Sequence, residues 1–116
     1  MKLEKTQIAE EDIQKLSSEV RSTFESKLEA MEKNLKIGAT PDQVFHKRMA
    51  GNMHPILQIN LGRDYRAWFL EGGRIDLDWT ENNTIYCVMV LTKKESKKLS
   101  NKIKDPLKFI ENRLQN

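Results

Sequence analysis

Between residues 13 and 35, Ile13, Leu16, Val20, Phe24, Leu28, Met31 and Leu35 recur at spacings of three and four. That period puts them on one face of a helix, and a helix with one long apolar face must lie against something. Past residue 55 the period changes to two: in "PILQINLG", Ile or Leu alternates with Gln58 and Asn60, the pattern of a strand with one wet face. A sheet of such strands has to bury a face, and the amphipathic helices before it are the available cover. The expected class is therefore α+β.

The Ser17-Ser18 pair interrupts the helical stretch and offers an N-cap, with Glu19 and Arg21 following. The stretch is expected to form two helices, residues 9–16 and 18–34, folded as an N-terminal hairpin after a short edge strand in residues 2–7. Gly38 stops the second helix, and Thr40, Pro41 and Gln43 mark a single helical turn. Turns at Gly51-Asn52, Arg63-Asp64, Gly72-Gly73 and Asn82-Asn83 then separate "YRAWFLE", "RIDLDW" and "TIYCVMVL". The expectation is a four- to five-stranded, mainly antiparallel sheet, with "TIYCVMVL" as a central strand because both its faces are bulky. Leu99 and Ile103, then Leu107, Phe109, Ile110 and Leu114 beyond Pro106, imply a C-terminal helix pair or a helix kinked at the proline.

A chain of 116 residues supplies one core, so a single domain is expected over residues 1–116, with a core of about 2–100 and a helical extension of 101–116. The longest apolar run, Ile85 to Leu91, is far too short to span a bilayer, and the opening "MKLEKTQIAEED" alternates charges where a secretory leader needs an apolar stretch. A cytoplasmic protein without membrane contact is expected. Cys87 is the only cysteine, which excludes an intramolecular disulfide and a Cys-based metal site; mid-strand, it reads as a small buried hydrophobe. No metal or small-molecule cofactor is expected.

The net charge of +3 is unevenly spread. Residues 1–35 hold six Lys/Arg against eight Asp/Glu, a net of −2, whereas residues 92–116 hold eight against three, a net of +5. That asymmetry suits a polyanion near the C-terminal half, and a solvated lysine-rich helix gives the same count.

Arg66 stands out within this frame. In "GRDYRAWF" it interrupts an otherwise apolar strand, and an arginine there requires water, a carboxylate or a phosphate as its partner. One reading pairs it with Glu71, Asp76 or Asp78 across neighbouring strands; the other gives it an anionic ligand. The other basic candidates divide the same way. Lys93 and Lys94, with Lys97 and Lys98, read either as anion contacts or as a soluble helix start, and Lys47-Arg48 and Arg63 as phosphate contacts or solvated turns. Trp68 and Trp79 suit a core or a base-stacking surface.

Taken in order, "AEEDIQKLSSEVRSTFESKLEAM", "HKRMAG", "ILQINLGRDYRAWF" and "IYCVMVLTKKESKKL" resemble the RelE/ParE superfamily of toxins from bacterial type II toxin-antitoxin systems, over roughly residues 2–100. The superfamily holds ribosome-dependent mRNA endonucleases, gyrase poisons and members without an assigned target. The resemblance implies a concave sheet face on which Arg66 contacts the scissile phosphate and Lys94, with Lys93, ends the last strand. Fixed cations there would stabilise the charge that develops when a 2′-hydroxyl attacks phosphorus, without a metal. It also implies a cognate antitoxin as partner, and mRNA on the ribosome, or gyrase in the alternative, as target. The chain departs from the nuclease pattern in carrying Gln58 and Asn60 where those relatives have basic side chains, and in having no tyrosine after Tyr86. His54, and secondarily His46, are the candidates to restore an acid or base. Whether the chain is an enzyme, a non-catalytic inhibitor or an inactive relative stays open at this point.

Overall fold

A computed structural model describes residues 1–45, 47–49, 53, 55–72 and 80–115. The elements are β1 (Lys2–Lys5), α1 (Gln7–Gln14), α2 (Ser18–Lys36), α3 (Pro41–Val44), β2 (Lys47–Arg48), β3 (Leu57–Leu61), β4 (Tyr65–Glu71), β5 (Thr84–Thr92), α4 (Lys93–Lys102) and α5 (Pro106–Gln115). The class is α+β, as expected. The "RIDLDW" segment, the Gly51-Asn52 turn, Gly73, His46 and His54 lie outside the described residues.

Local chemistry sets the element boundaries. Thr6 ends β1 and starts α1: its hydroxyl accepts the Ala9 N–H at 3.2 Å and donates to the Cys87 carbonyl at 3.1 Å. This cap moves the start of α1 to Gln7, ahead of the expected residue 9. Ser17 caps α2 by accepting the Val20 N–H at 3.3 Å. The break between the helices is closed from the far side by Arg21, whose Nη2 donates to the carbonyls of Gln14 and Leu16 at 3.3 and 3.1 Å. The Gln14 carbonyl ends α1 without a partner inside it and Leu16 lies just past that end, where a cation suits the negative end of the helix dipole. Gly38, with φ of 105°, ends α2 in the left-handed region while its N–H reaches Leu35. Thr40 donates its N–H to the Gln43 side chain at 2.8 Å, which fixes the turn of α3.

The sheet order is β1-β5-β4-β3-β2. Strands β2 to β5 are antiparallel neighbours, whereas β1 lies parallel to β5, pairing Lys2 with Thr84 through to Lys5 with Cys87. The sheet is therefore mixed, with β5 inside it as its two-sided apolar pattern suggested.

Helices cover both faces, which corrects the expectation of a wet one. On one face, Ile13, Phe24, Leu28, Met31 and Leu35 meet Leu57, Ile59, Leu61, Ala67, Phe69, Ile85 and Cys87. Phe45 meets Phe69 there edge to face at a centroid distance of 4.8 Å. On the other, Trp68, Leu70, Val88, Met89 and Leu91 pack with Met49, Met53, Ile56 and Ile110 of α5, and with Leu99, Ile103, Leu107 and Phe109. Each fully buried side chain of this kind contributes about 1.5–3 kcal/mol. The second face needs one adjustment: Trp68 pairs with Met89 but Phe69 with Cys87, so Val88 is an extra residue in β5. This bulge turns both Val88 and Met89 towards α4 and α5, while Cys87 and Val90 stay on the first face. Among the described residues no helix is long and apolar enough to cross a membrane.

Candidate nucleic-acid interface

The second face carries a groove of about 490 Å³ between β3, β4 and α4, lined by Met49, Met53, Gln58, Arg66, Lys93, Ser96, Lys97, Ser100 and Asn101. Its wall exists because α4 starts with no loop after β5. Thr92 is the N-cap: its hydroxyl accepts the Glu95 N–H at 3.0 Å, and the Glu95 carboxylate takes the Thr92 N–H at 3.1 Å. The Lys93 N–H bonds the Asp64 carbonyl at 2.7 Å, tying the helix start to the β3–β4 turn. With that phase, helical spacing turns Lys93, Ser96, Lys97, Ser100 and Asn101 towards the groove.

Arg66 finds a partner that neither sequence reading named. Its Nη1 donates to the Tyr65 carbonyl at 2.7 Å and approaches those of Gly62 and Arg63 at 3.3 and 3.4 Å, so the guanidinium braces the β3–β4 turn while forming part of the groove wall. The turn needs the brace: Gly62 sits at φ of 67°, and Arg63 and Asp64 are exposed. Lys93 and Lys97 extend from the opposite wall, both exposed and without an ion-pair partner among the described residues. Three cations thus share one concavity, with none of the groove's described side chains acidic. A groove of this sign attracts and holds anions.

The floor is polar. Gln58 is 5% exposed, and its Oε1 accepts both Trp68 Nε1–H at 3.0 Å and Ser96 Oγ–H at 3.2 Å. The buried Trp68 indole therefore has its acceptor, and β3, β4 and α4 are joined through one amide. Ser100 donates to the Ser96 carbonyl at 2.7 Å.

Lys94 and Lys98 are exposed on α4 but do not line the groove with Arg66. Arg63 is exposed in the turn, and Lys47 and Arg48 form β2 at the sheet edge. His54 and His46 lie outside the described residues, as do Asp76, Asp78 and Trp79. Trp68 belongs to the core. Sequence reasoning missed Ser96, Ser100 and Asn101, which the helical spacing from Lys93 would have found, and took Gln58 for a solvent-facing residue.

A second cavity, of about 320 Å³, lies on the other side of α4 and includes Asp12, Lys15, Tyr65, Glu95 and Arg113 in its lining. Asp12 Oδ2 accepts the Val90 N–H at 3.1 Å where β1 no longer reaches β5, and Arg113 Nη2 stands 3.6 Å from Asp12 Oδ1. Burial, helped by the Asp12 charge, pushes the Cys87 thiol far up. Among the described residues no group of His, Cys, Asp or Glu is placed to hold a metal ion. Comparison with protein-family models, with curated proteins and with solved structures yields no match.

Proposed function

We propose that this chain is a toxin of the RelE/ParE kind, built as an N-terminal helical hairpin against a mainly antiparallel sheet, which acts on mRNA bound to the ribosome through its basic groove. The observation that carries the reading is the convergence of Arg66, Lys93 and Lys97 on one concavity beside a buried polar floor. An RNA backbone laid along α4 would meet Lys93 and Lys97 first, with Lys94, Lys98, Arg63, Lys47 and Arg48 as outer phosphate contacts. Cleavage by the 2′-hydroxyl needs charge stabilisation at phosphorus, which these cations supply, and an acid or base, for which His54 is the candidate. A cognate antitoxin would silence the chain by occupying this groove.

A second reading, a non-nuclease inhibitor of a protein target such as gyrase, draws on Gln58 and on Arg66. The first is committed to Trp68 and Ser96 and the second braces a turn, so both have structural duties that need no substrate.

Primer extension on a reporter mRNA in a reconstituted translation reaction separates the two. Discrete, ribosome-dependent cleavages that disappear in Lys93→Ala/Lys97→Ala and in Arg66→Ala would support the nuclease. An intact message alongside blocked gyrase supercoiling would replace it with the inhibitor.

A further inference from the structure

We infer that the groove reads one nucleobase of single-stranded RNA and that Gln58 is the residue that discriminates, favouring bases with a carbonyl at pyrimidine C4 or purine C6 (uracil, guanine) over bases with an amine at that position (cytosine, adenine). This inference rests on the RNA-binding reading of the groove.

The argument begins with an amide that cannot turn over. The indole N–H of Trp68 is a donor only, and its ring is fully buried, so the oxygen of Gln58 must face it at 3.0 Å. Ser96 donates to the same oxygen from α4 at 3.2 Å. A flipped amide would set N–H against N–H inside the core, where unmatched donors are costly. The Gln58 nitrogen is thereby held away from Trp68 and Ser96. Among the described residues it has no acceptor, and Gln58 contributes to the groove lining.

The consequence is an amide N–H pair open to the floor of a groove whose walls are also donors, from Arg66, Lys93 and Lys97. A carbonyl oxygen satisfies that floor. An amino group brings hydrogens against hydrogens and leaves both partners unsatisfied, which is how a hydrogen-bonding site rejects the wrong analogue. Met49 and Met53 supply an apolar wall for the base, and two cations on α4 hold the phosphates of its chain. The volume, about 490 Å³, lies within the range of pockets that take one small ligand.

The experiment is fluorescence anisotropy of the full chain with labelled U6 and C6 RNA, which carry equal backbone charge, and with A6 RNA against the same hexamer carrying one adenosine→inosine change. Inosine replaces the adenine amine with a carbonyl. Wild type should bind U6 about tenfold tighter than C6, and the inosine oligomer more tightly than A6. Gln58→Glu keeps an oxygen for Trp68 and Ser96 but loses the amide NH2 donor, so the U6 over C6 gap should close. Its melting curve establishes that it folds, and the inosine comparison on wild type decides the matter if it does not. Equal, salt-dependent binding of all four RNAs would overturn base reading while leaving the RNA-binding groove intact. No binding of any RNA at low salt would overturn both.

Discussion

Asp12 and Val90 are joined by a hydrogen bond that does the work of a missing strand: the carboxylate of α1 takes the β5 N–H at 3.1 Å just beyond the point where β1 stops pairing at Cys87. The same carboxylate faces Arg113 of α5 at 3.6 Å, so one side chain links the first helix, the sheet and the last helix. Arg113 is partly exposed, and its pair is screened by water, which makes the bond to Val90 the stronger of the two. Asp12→Ala should lower stability by about 1–3 kcal/mol by leaving a backbone donor unmatched, and Asp12→Asn, which keeps an acceptor oxygen, by less. Urea unfolding of the two variants checks the order; equal losses would show that charge, not the bond to Val90, matters there.

Trp68 and Gln58 form the second junction, between β4 and β3. Gln58→Leu strands both the indole N–H and the Ser96 hydroxyl, for an expected loss of about 1–3 kcal/mol. Trp68→Phe removes the donor but also leaves a smaller ring in the core. The double variant should lose less than the two single losses combined, because each single change breaks the same bond. A double-mutant cycle by chemical denaturation gives the coupling, and strict additivity would mean that the bond contributes nothing.

Cys87 is wholly buried and its thiol is pushed far above its ordinary range, chiefly by burial. In the folded chain it stays protonated at any physiological pH. The unfolded thiol ionises near pH 8.5. Because the folded pKa is the higher one, the thiol's contribution to stability is complete below the unfolded value of about 8.5 and is lost progressively as pH rises above it towards the folded one. Iodoacetamide should label the native protein at pH 8 only as fast as it opens globally, and the denatured chain at the rate of a free thiol. Rapid native labelling would contradict the burial.

How far the sequence could be read depended on what kind of interaction decided each feature. The face of α2 was legible because its repeat is long and leaves one phase for packing, and Gly38 and Thr40 marked their turns by local chemistry. Gln58 was misread, since a period of two says which residues share a face but not whether water or a second helical layer covers it. That layer comes from α4 and α5, whose apolar stripe from Leu99 to Leu114 was legible as a helix pair, but not as the cover of this face of the sheet. Nothing near β1 announces its parallel pairing with β5, which joins residues 82 positions apart, as Lys2 and Thr84 are. For the groove, the residue types were visible and the helical phase was not. The Thr92 cap puts Lys93 into the same groove as Arg66, whereas the family resemblance had favoured Lys94.

The basic groove carries the last prediction. If Lys93 and Lys97 each hold a phosphate, then removing either should weaken binding of a short single-stranded RNA and reduce the steepness of its salt dependence by about one unit of log K against log salt. Lys15, exposed and lining the cavity on the far side of α4, is the control: Lys15→Ala should leave both affinity and slope unchanged. Lys94 and Lys98, exposed but outside the groove, should produce a smaller loss of affinity, because a phosphate there would remain in contact with bulk salt. Titration at four salt concentrations distinguishes these ranks. Equal effects from Lys15, Lys94 and Lys97 would mean that RNA responds to the overall charge of the chain, and that the concavity between β4 and α4 has no special role.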